Sequence, residues 1–174
     1  MRILALDLAT TTGCADGDPS AHPRCWTWRL GLAGDSRAAK LSRLLRYMER
    51  YLAENRPDAV FYERGLPLGA AHQIGQSEAT VALLRGAIGV VEAASTKAGV
   101  PRVEGLSVQE ARRHLLGQGR IPAGEGKDAV WRMCRMLGWP VTNTDEADAA
   151  CIWARGCSLV NPRLAYLSTP LFGS

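Results

Sequence analysis

Lysine, paired cysteines and long apolar runs are all scarce in this sequence. The only lysines are Lys40, Lys97 and Lys127, so arginine carries the basic balance, a formal net charge of +4 with a pI near 9.0. The planar guanidinium fork suits bidentate phosphate contact, which fits an anionic partner such as a nucleic acid, although genomic composition produces the same bias. The five cysteines (Cys14, Cys25, Cys134, Cys151 and Cys157) are odd in number and contain no CxxC pair. That excludes a cysteine zinc site and a disulfide framework, and Cys134, Cys151 and Cys157, inside helical patterns, read as small buried hydrophobes. No run of about 18 apolar residues occurs, so no membrane span is expected. The first apolar stretch is cut by Asp7 and has no signal-peptide pattern, so the expected location is cytoplasmic. What remains is 174 residues, 47% hydrophobic and 22% charged, enough for one globular domain over residues 1–174 with a real core.

The order of elements is read from periodicity. Residues 2–8 form a first strand, Thr10 to Gly13 a turn, residues 16–23 a polar loop, and residues 25–30 an alternating strand with two tryptophans. Leu41, Leu44, Leu45, Met48 and Leu52 recur at helical spacing over residues 36–54, with Arg37, Lys40, Arg43, Arg46 and Arg50 on a solvated or DNA-facing surface. A strand ending at Glu63 leads into a glycine-rich connection, residues 64–75, and then a helix over 77–97. That helix is apolar on several sides, as expected of a central core helix or a dimer interface. A short strand at 100–103 precedes a helix from Ser107, with Glu110 completing a capping box. Helices over 127–137 and 144–159 follow a second glycine-rich loop. Strands mixed with helices in this order give an α/β fold, a mixed sheet flanked by helices.

Four carboxylates stand out by position. Asp7 ends the apolar run Ile3-Leu4-Ala5-Leu6, and Glu63 follows Ala59-Val60-Phe61-Tyr62. A carboxylate at the end of a buried strand must pair, hydrogen-bond or bind a cation. The plainer readings are that Asp7 caps the turn after it and that Glu63 pairs with Arg64 at the surface. Asp145, Glu146 and Asp148 crowd one helix start, where the helix dipole alone favours acids, yet Asp145 and Asp148 at i and i+3 share a face and can converge on one ion. Two strand ends and one helix start, each offering carboxylates, form the oxygen-only donor set that a hard divalent cation prefers.

Leu4-Ala5-Leu6-Asp7 with Thr11-Thr12-Gly13, Phe61-Tyr62-Glu63, Leu84-Arg85-Gly86-Ala87, Gly126-Lys127-Asp128-Ala129-Val130 and Asp145-Glu146-Ala147-Asp148-Ala149 follow one another through the chain. In this order they resemble the RuvC family of Holliday-junction resolvases, within the RNase H-like nucleases. The likeness runs over about residues 3–155, and its acidic helix with the preceding lysine helix is the most specific part. It implies a mixed five-stranded sheet with helices on both faces. Asp7, Glu63, Asp145 and Asp148 would hold two Mg²⁺ ions, with Mn²⁺ able to substitute. Lys127 would lie near the scissile phosphate and offset charge in the transition state. The resemblance further implies a homodimer through helix 77–97 acting on branched DNA, a four-way junction above all, and leaving ligatable nicks with 5′-phosphates. Arg112, Arg113 and Arg120 are candidates for backbone contacts to DNA.

Two departures stand out. Ala9 replaces a glycine found in many relatives, and the enlarged connection after Glu63, of a length seen in phage-type relatives, carries Leu66-Pro67-Leu68 where many resolvases have a wedging aromatic. Leu66 can still serve as an apolar wedge. Three other readings compete on sequence alone: an RNase H-fold nuclease acting on RNA, a non-catalytic junction binder, and a nucleotide-binding protein of the actin and sugar-kinase type, whose first phosphate loop resembles Asp7 to Thr12.

Overall fold

The computed structural model describes residues 1–65, 77–117 and 126–162. Five strands make one mixed sheet: β1 (Ile3–Asp7), β2 (Thr11–Gly17), β3 (Arg24–Arg29), β4 (Ala59–Glu63) and β5 (Arg102–Leu106), in the spatial order β3-β2-β1-β4-β5. The first three form an antiparallel meander; β4 and β5 join β1 in parallel, each reached by a helical crossover. Every residue of β1 is buried, because the strand is central and both of its faces are covered.

Strand alternation sorts the side chains into two cores. Ile3, Ala5, Ala59 and Phe61 face one side, with α3 (Val108–Leu116), α4 (Gly126–Met136) and α5 (Thr144–Val160). Leu4, Leu6, Val60 and Tyr62 face the other, with α1 (Arg37–Asn55) and α2 (Glu78–Lys97). Helices on both faces of a five-stranded mixed sheet agree with the expected α/β architecture. Cys134, Cys151 and Cys157 are buried in the α3–α5 side, as their helical setting implied.

Four local readings are corrected. The stretch Thr11-Thr12-Gly13 is strand, not turn: Asp7 pairs with Gly13 and Ile3 with Gly17, and the reversal is confined to residues 8–10, where the Thr12 hydroxyl donates to the Ala9 carbonyl at 2.8 Å. Asp16 and Gly17, assigned from composition to a loop, complete the same strand. The strand expected at residues 100–103 runs from Arg102 to Leu106, beginning only after Pro101, which cannot donate to a ladder. At α3, Ser107 occupies the N-cap position but makes no side-chain cap bond, so the expected capping box does not form.

Helix α2 is not central. It buries Ala87, Val91, Ala94 and Ser95 toward α1 and the sheet and leaves Val81, Leu83, Leu84, Ile88 and Val90 half covered. By length and composition alone, with 20 residues and a mean hydropathy of 1.3, it passes for a helix able to cross a membrane, a test that core helices also pass. Its packing gives that surface another use, because part of it lines the cleft at the top of the sheet.

Candidate active site

The register of the central strands brings two carboxylates together. Parallel pairing of Ile3 with Ala59 through Leu6 with Tyr62 makes Asp7 and Glu63 the next neighbours, at the carboxyl ends of both strands. Alternation puts them on the face of Ala5 and Phe61, toward α5. That end of a parallel sheet, beside the start of a helix, is the usual crevice for ligands in open α/β sheets.

Helix α5 delivers the other two. Its start is fixed by a reciprocal cap: Asn143 accepts from the Glu146 N–H at 2.9 Å, while the buried Glu146 carboxylate accepts from the Thr142 N–H at 2.7 Å and the Thr142 hydroxyl at 2.9 Å. Glu146 is therefore spent on the cap, which separates it from Asp145 and Asp148. Gly13, beside Asp7 in the sheet, lets the helix start approach the strand closely, since a Cβ there would overlap the Asp145 carbonyl and lie 3.2 Å from the Glu146 nitrogen. Replacing Glu146 with alanine should cost about 1–2 kcal/mol of stability, measured by urea unfolding, because the cap loses its acceptor. A stability equal to wild type would mean that the cap does not hold the helix start.

The carboxylates differ in their neighbours. Asp16, buried in β2, faces Arg2 at 2.8 Å, Arg24 at 2.7 Å and the Tyr51 hydroxyl; burial pushes its pKa up, but these donors outweigh burial and hold it below the ordinary carboxylate range. Asp7 is only 6% exposed, and its hydrogen-bonding neighbour is another acid, Glu63. Burial, then the Glu63 contact and charge, then the Asp148 charge raise its pKa to about 8, against a smaller opposing pull from Lys127. Without a cation beside it, Asp7 carries a proton at neutral pH. Asp16 is structural; Asp7 is the carboxylate in need of a cation.

Lys127, at the start of α4, places Nζ 3.6 Å from Asp145 Oδ1 and 3.5 Å from Asp148 Oδ2. Burial lowers its pKa, but the charges of Asp148, Asp7 and Asp145 outweigh burial and raise it, so the ammonium persists. Arg112 of α3 sends Nη2 to 3.0 and 3.1 Å from the two oxygens of Asp148, whose side chain is 2% exposed. The plainer readings of the strand-end acids find no contact to support them: Asp7 does not cap the turn, and no salt bridge joins Glu63 to Arg64 among the described residues.

A cleft of 490 Å³ opens over Asp7, Glu63, Lys127 and Asp145, and its opposite wall is apolar, from Leu83, Leu84 and Ile88 of α2. A larger hollow of 680 Å³ lies at the other end of the sheet, between the last turns of α1 and α2, and contains none of these carboxylates. Among the described residues no three acidic, histidine or cysteine side chains close on one point as they stand. The donor set nevertheless fits a hard divalent ion: it is all oxygen, two acids meet at adjacent strand ends, and two cationic side chains already sit on Asp145 and Asp148. Of the arginines singled out in sequence, Arg112 is turned inward onto Asp148 and Arg113 is exposed on α3; Arg120 and Leu66 lie outside the described residues. The apolar wall from α2 was not anticipated: Leu84 and Ile88 stand on the same face as the buried Ala87 and Val91 and pack against that core, so the sequence offered no signal that they also line a cleft.

No protein-family model matches the sequence, and no curated protein matches it at a significant level. Solved structures do match. RuvC of Thermus thermophilus superposes with a TM-score of 0.66 at 21% identity, over 87% of this chain and 90% of that one. The chain has the RuvC fold. A second structure of T. thermophilus RuvC, in complex with Holliday junction substrate, gives a TM-score of 0.66 at 17% identity over 98% and 99% of the two chains. The yeast mitochondrial Holliday junction resolvase Ydc2 gives 0.52 at 13% identity over 95% and 83%. At these identities the likeness is one of fold. Within this RuvC fold, Asp7, Glu63, Asp145, Asp148 and Lys127 gather at one end of the sheet, although the intervals between them in the chain reach tens of residues.

Proposed function

We propose that this protein is a magnesium-dependent, structure-selective endodeoxyribonuclease that resolves Holliday junctions or other branched DNA by paired nicks leaving 5′-phosphates. The observation that carries the reading is the meeting of Asp7 and Glu63 at adjacent strand ends with Asp145 and Lys127 around one open cleft. Asp7, Glu63, Asp145 and Asp148 would hold the divalent ions, with Mn²⁺ able to replace Mg²⁺; such ions activate water and stabilise the leaving oxygen when bound. The chain supplies the rest. Lys127, half exposed at the cleft, is placed to meet a phosphate and offset its growing charge. Arg113, exposed on α3, offers contacts to the DNA backbone, as would Arg120, and Leu66 would serve as an apolar wedge into the junction. The half-covered apolar surface of α2 supports a two-fold homodimer, which would set two sites against a two-fold junction.

The test is incubation with labelled four-way junction, Y-fork, linear duplex and RNA–DNA hybrid, with Mg²⁺ or EDTA. Paired, ligatable nicks confined to the junction are expected. Cutting of the hybrid alone would leave the site and discard the substrate, and no cutting in Mg²⁺ or Mn²⁺ would discard the nuclease. Lys127→Ala should lower turnover about 100-fold, the order found when one transition-state donor is removed, with a much smaller effect on junction affinity in a gel-shift assay. Unchanged turnover would take Lys127 out of the chemistry.

A further inference from the structure

Asp148 is the most deeply placed of the four carboxylates, and both of its oxygens are already engaged. Nη2 of Arg112 lies almost equidistant from them, at 3.0 and 3.1 Å, and Lys127 adds a second cation at 3.5 Å from Oδ2. A positive group centred on both oxygens of a carboxylate takes the place a chelated divalent ion would take. Arg112 is held there from behind. Its Nη1 packs so closely on Gly126 at the start of α4 that a Cβ would come within 2.9 Å, and its Nε is buried without a partner. With its side chain 22% exposed, the guanidinium depends on Asp148 for hydrogen bonds.

We propose that Arg112 is the resident counter-ion of Asp148 and is exchanged onto a substrate phosphate when a divalent ion binds there, so that metal loading and nucleic-acid binding are coupled. The inference rests on the nuclease reading above. Displacement by an ion alone strands a half-buried guanidinium with no acceptor, which is costly. A phosphate arriving at the cleft offers the same forked acceptor as the carboxylate did, so the arginine changes partner without losing its bonds. Each ligand then lowers the cost of binding the other, by the same factor in both directions.

Calorimetric titration with Ca²⁺, an ion of the same oxygen preference, tests this on wild type, Arg112→Gln and Arg112→Lys, each alone and with a four-way junction. In wild type the junction should tighten Ca²⁺ binding by about tenfold or more, and Ca²⁺ should tighten junction binding equally. Arg112→Gln alone should bind Ca²⁺ about tenfold tighter than wild type and lose most of the coupling, while Arg112→Lys, still cationic, should retain part of it. Equal or weaker Ca²⁺ binding by a folded Arg112→Gln would overturn the proposal and leave Arg112 as an anchor for the Asp148 side chain. Should Arg112→Gln not fold, wild type decides, since Ca²⁺ affinity unchanged by a bound junction also overturns it. A wild-type protein that binds no junction at all would refute the nuclease reading instead, and the comparison of Ca²⁺ binding by wild type and the two variants without DNA would still decide the counter-ion role.

Discussion

Asp7→Asn should abolish DNA cleavage while leaving junction binding within about twofold, read by gel shift in Ca²⁺. Removing groups that merely support a metal ligand costs about 10–100-fold in affinity or activity, so loss of a ligand itself should exceed about 100-fold. The same substitution should change stability in a way that a general packing defect would not. The folded pKa of Asp7, about 8, stands above its unfolded value of 3.8, so the folded state holds a proton that the unfolded state has released. In that window stability falls as pH rises, and the contribution is lost as pH passes the folded value. Metal-free wild type should therefore lose thermal stability between about pH 5 and pH 8, whereas Asp7→Asn, with nothing to deprotonate, should show a flatter profile. Mn²⁺ should restore wild type at the upper end and do little for the variant. Scans in EDTA and in MnCl₂ give both results. A variant that does not fold, or a wild-type profile flat with pH, would make Asp7 a structural residue.

Gly13→Ala is the second large effect, and here no charge is touched. The added methyl would run into the Asp145 carbonyl and the start of α5, which are backbone groups that cannot rotate aside. Overpacking of this kind costs about 1–3 kcal/mol, and a backbone obstacle puts it at the upper end. If the chain still folds, α5 must shift outward and carry Asp145 and Asp148 away from Asp7 and Glu63. Cleavage and divalent binding should then both fall by more than the loss of stability explains. The readouts are urea unfolding, Ca²⁺ calorimetry and junction cleavage on one preparation. Wild-type values in all three would mean that α5 is not seated against β2 as described.

Much of this arrangement was readable in the chain. Strands β1 and β4 are continuous apolar runs because both faces of the sheet are covered, and an acid ends each of them. The β2 strand was hidden because Thr11-Thr12-Gly13 has turn chemistry, and because its buried residues are small ones that carry little hydrophobic signal. Register with β1, a tertiary property, decides it. Spacing already sets Asp145 and Asp148 on one face of the helix apart from Glu146, but it does not say where Glu146 goes. Glu146 is removed from the site by a loop residue two positions before the helix, Thr142, and that contact exists only once the helix start has folded back. Arg112 reads in sequence only as one of three arginines that could contact the DNA backbone. Its inward turn depends on α4 and α5, which the helical period of α3 does not encode. The four carboxylates and the lysine were legible as residue types in place; which of them already face a cation was not.

The site is divided between β1 and α5, separated by more than a hundred residues of chain. During synthesis the sheet and its first crossover can begin to form as they leave the ribosome, domains being folded from the N-terminal side at roughly 5–20 residues per second. Asp7 and Glu63 then wait without Asp145 and Asp148. On the proposed reading, a growing polypeptide that has not yet extended through α5 holds only half of the carboxylate set, and the site is complete only once α5 packs over the sheet.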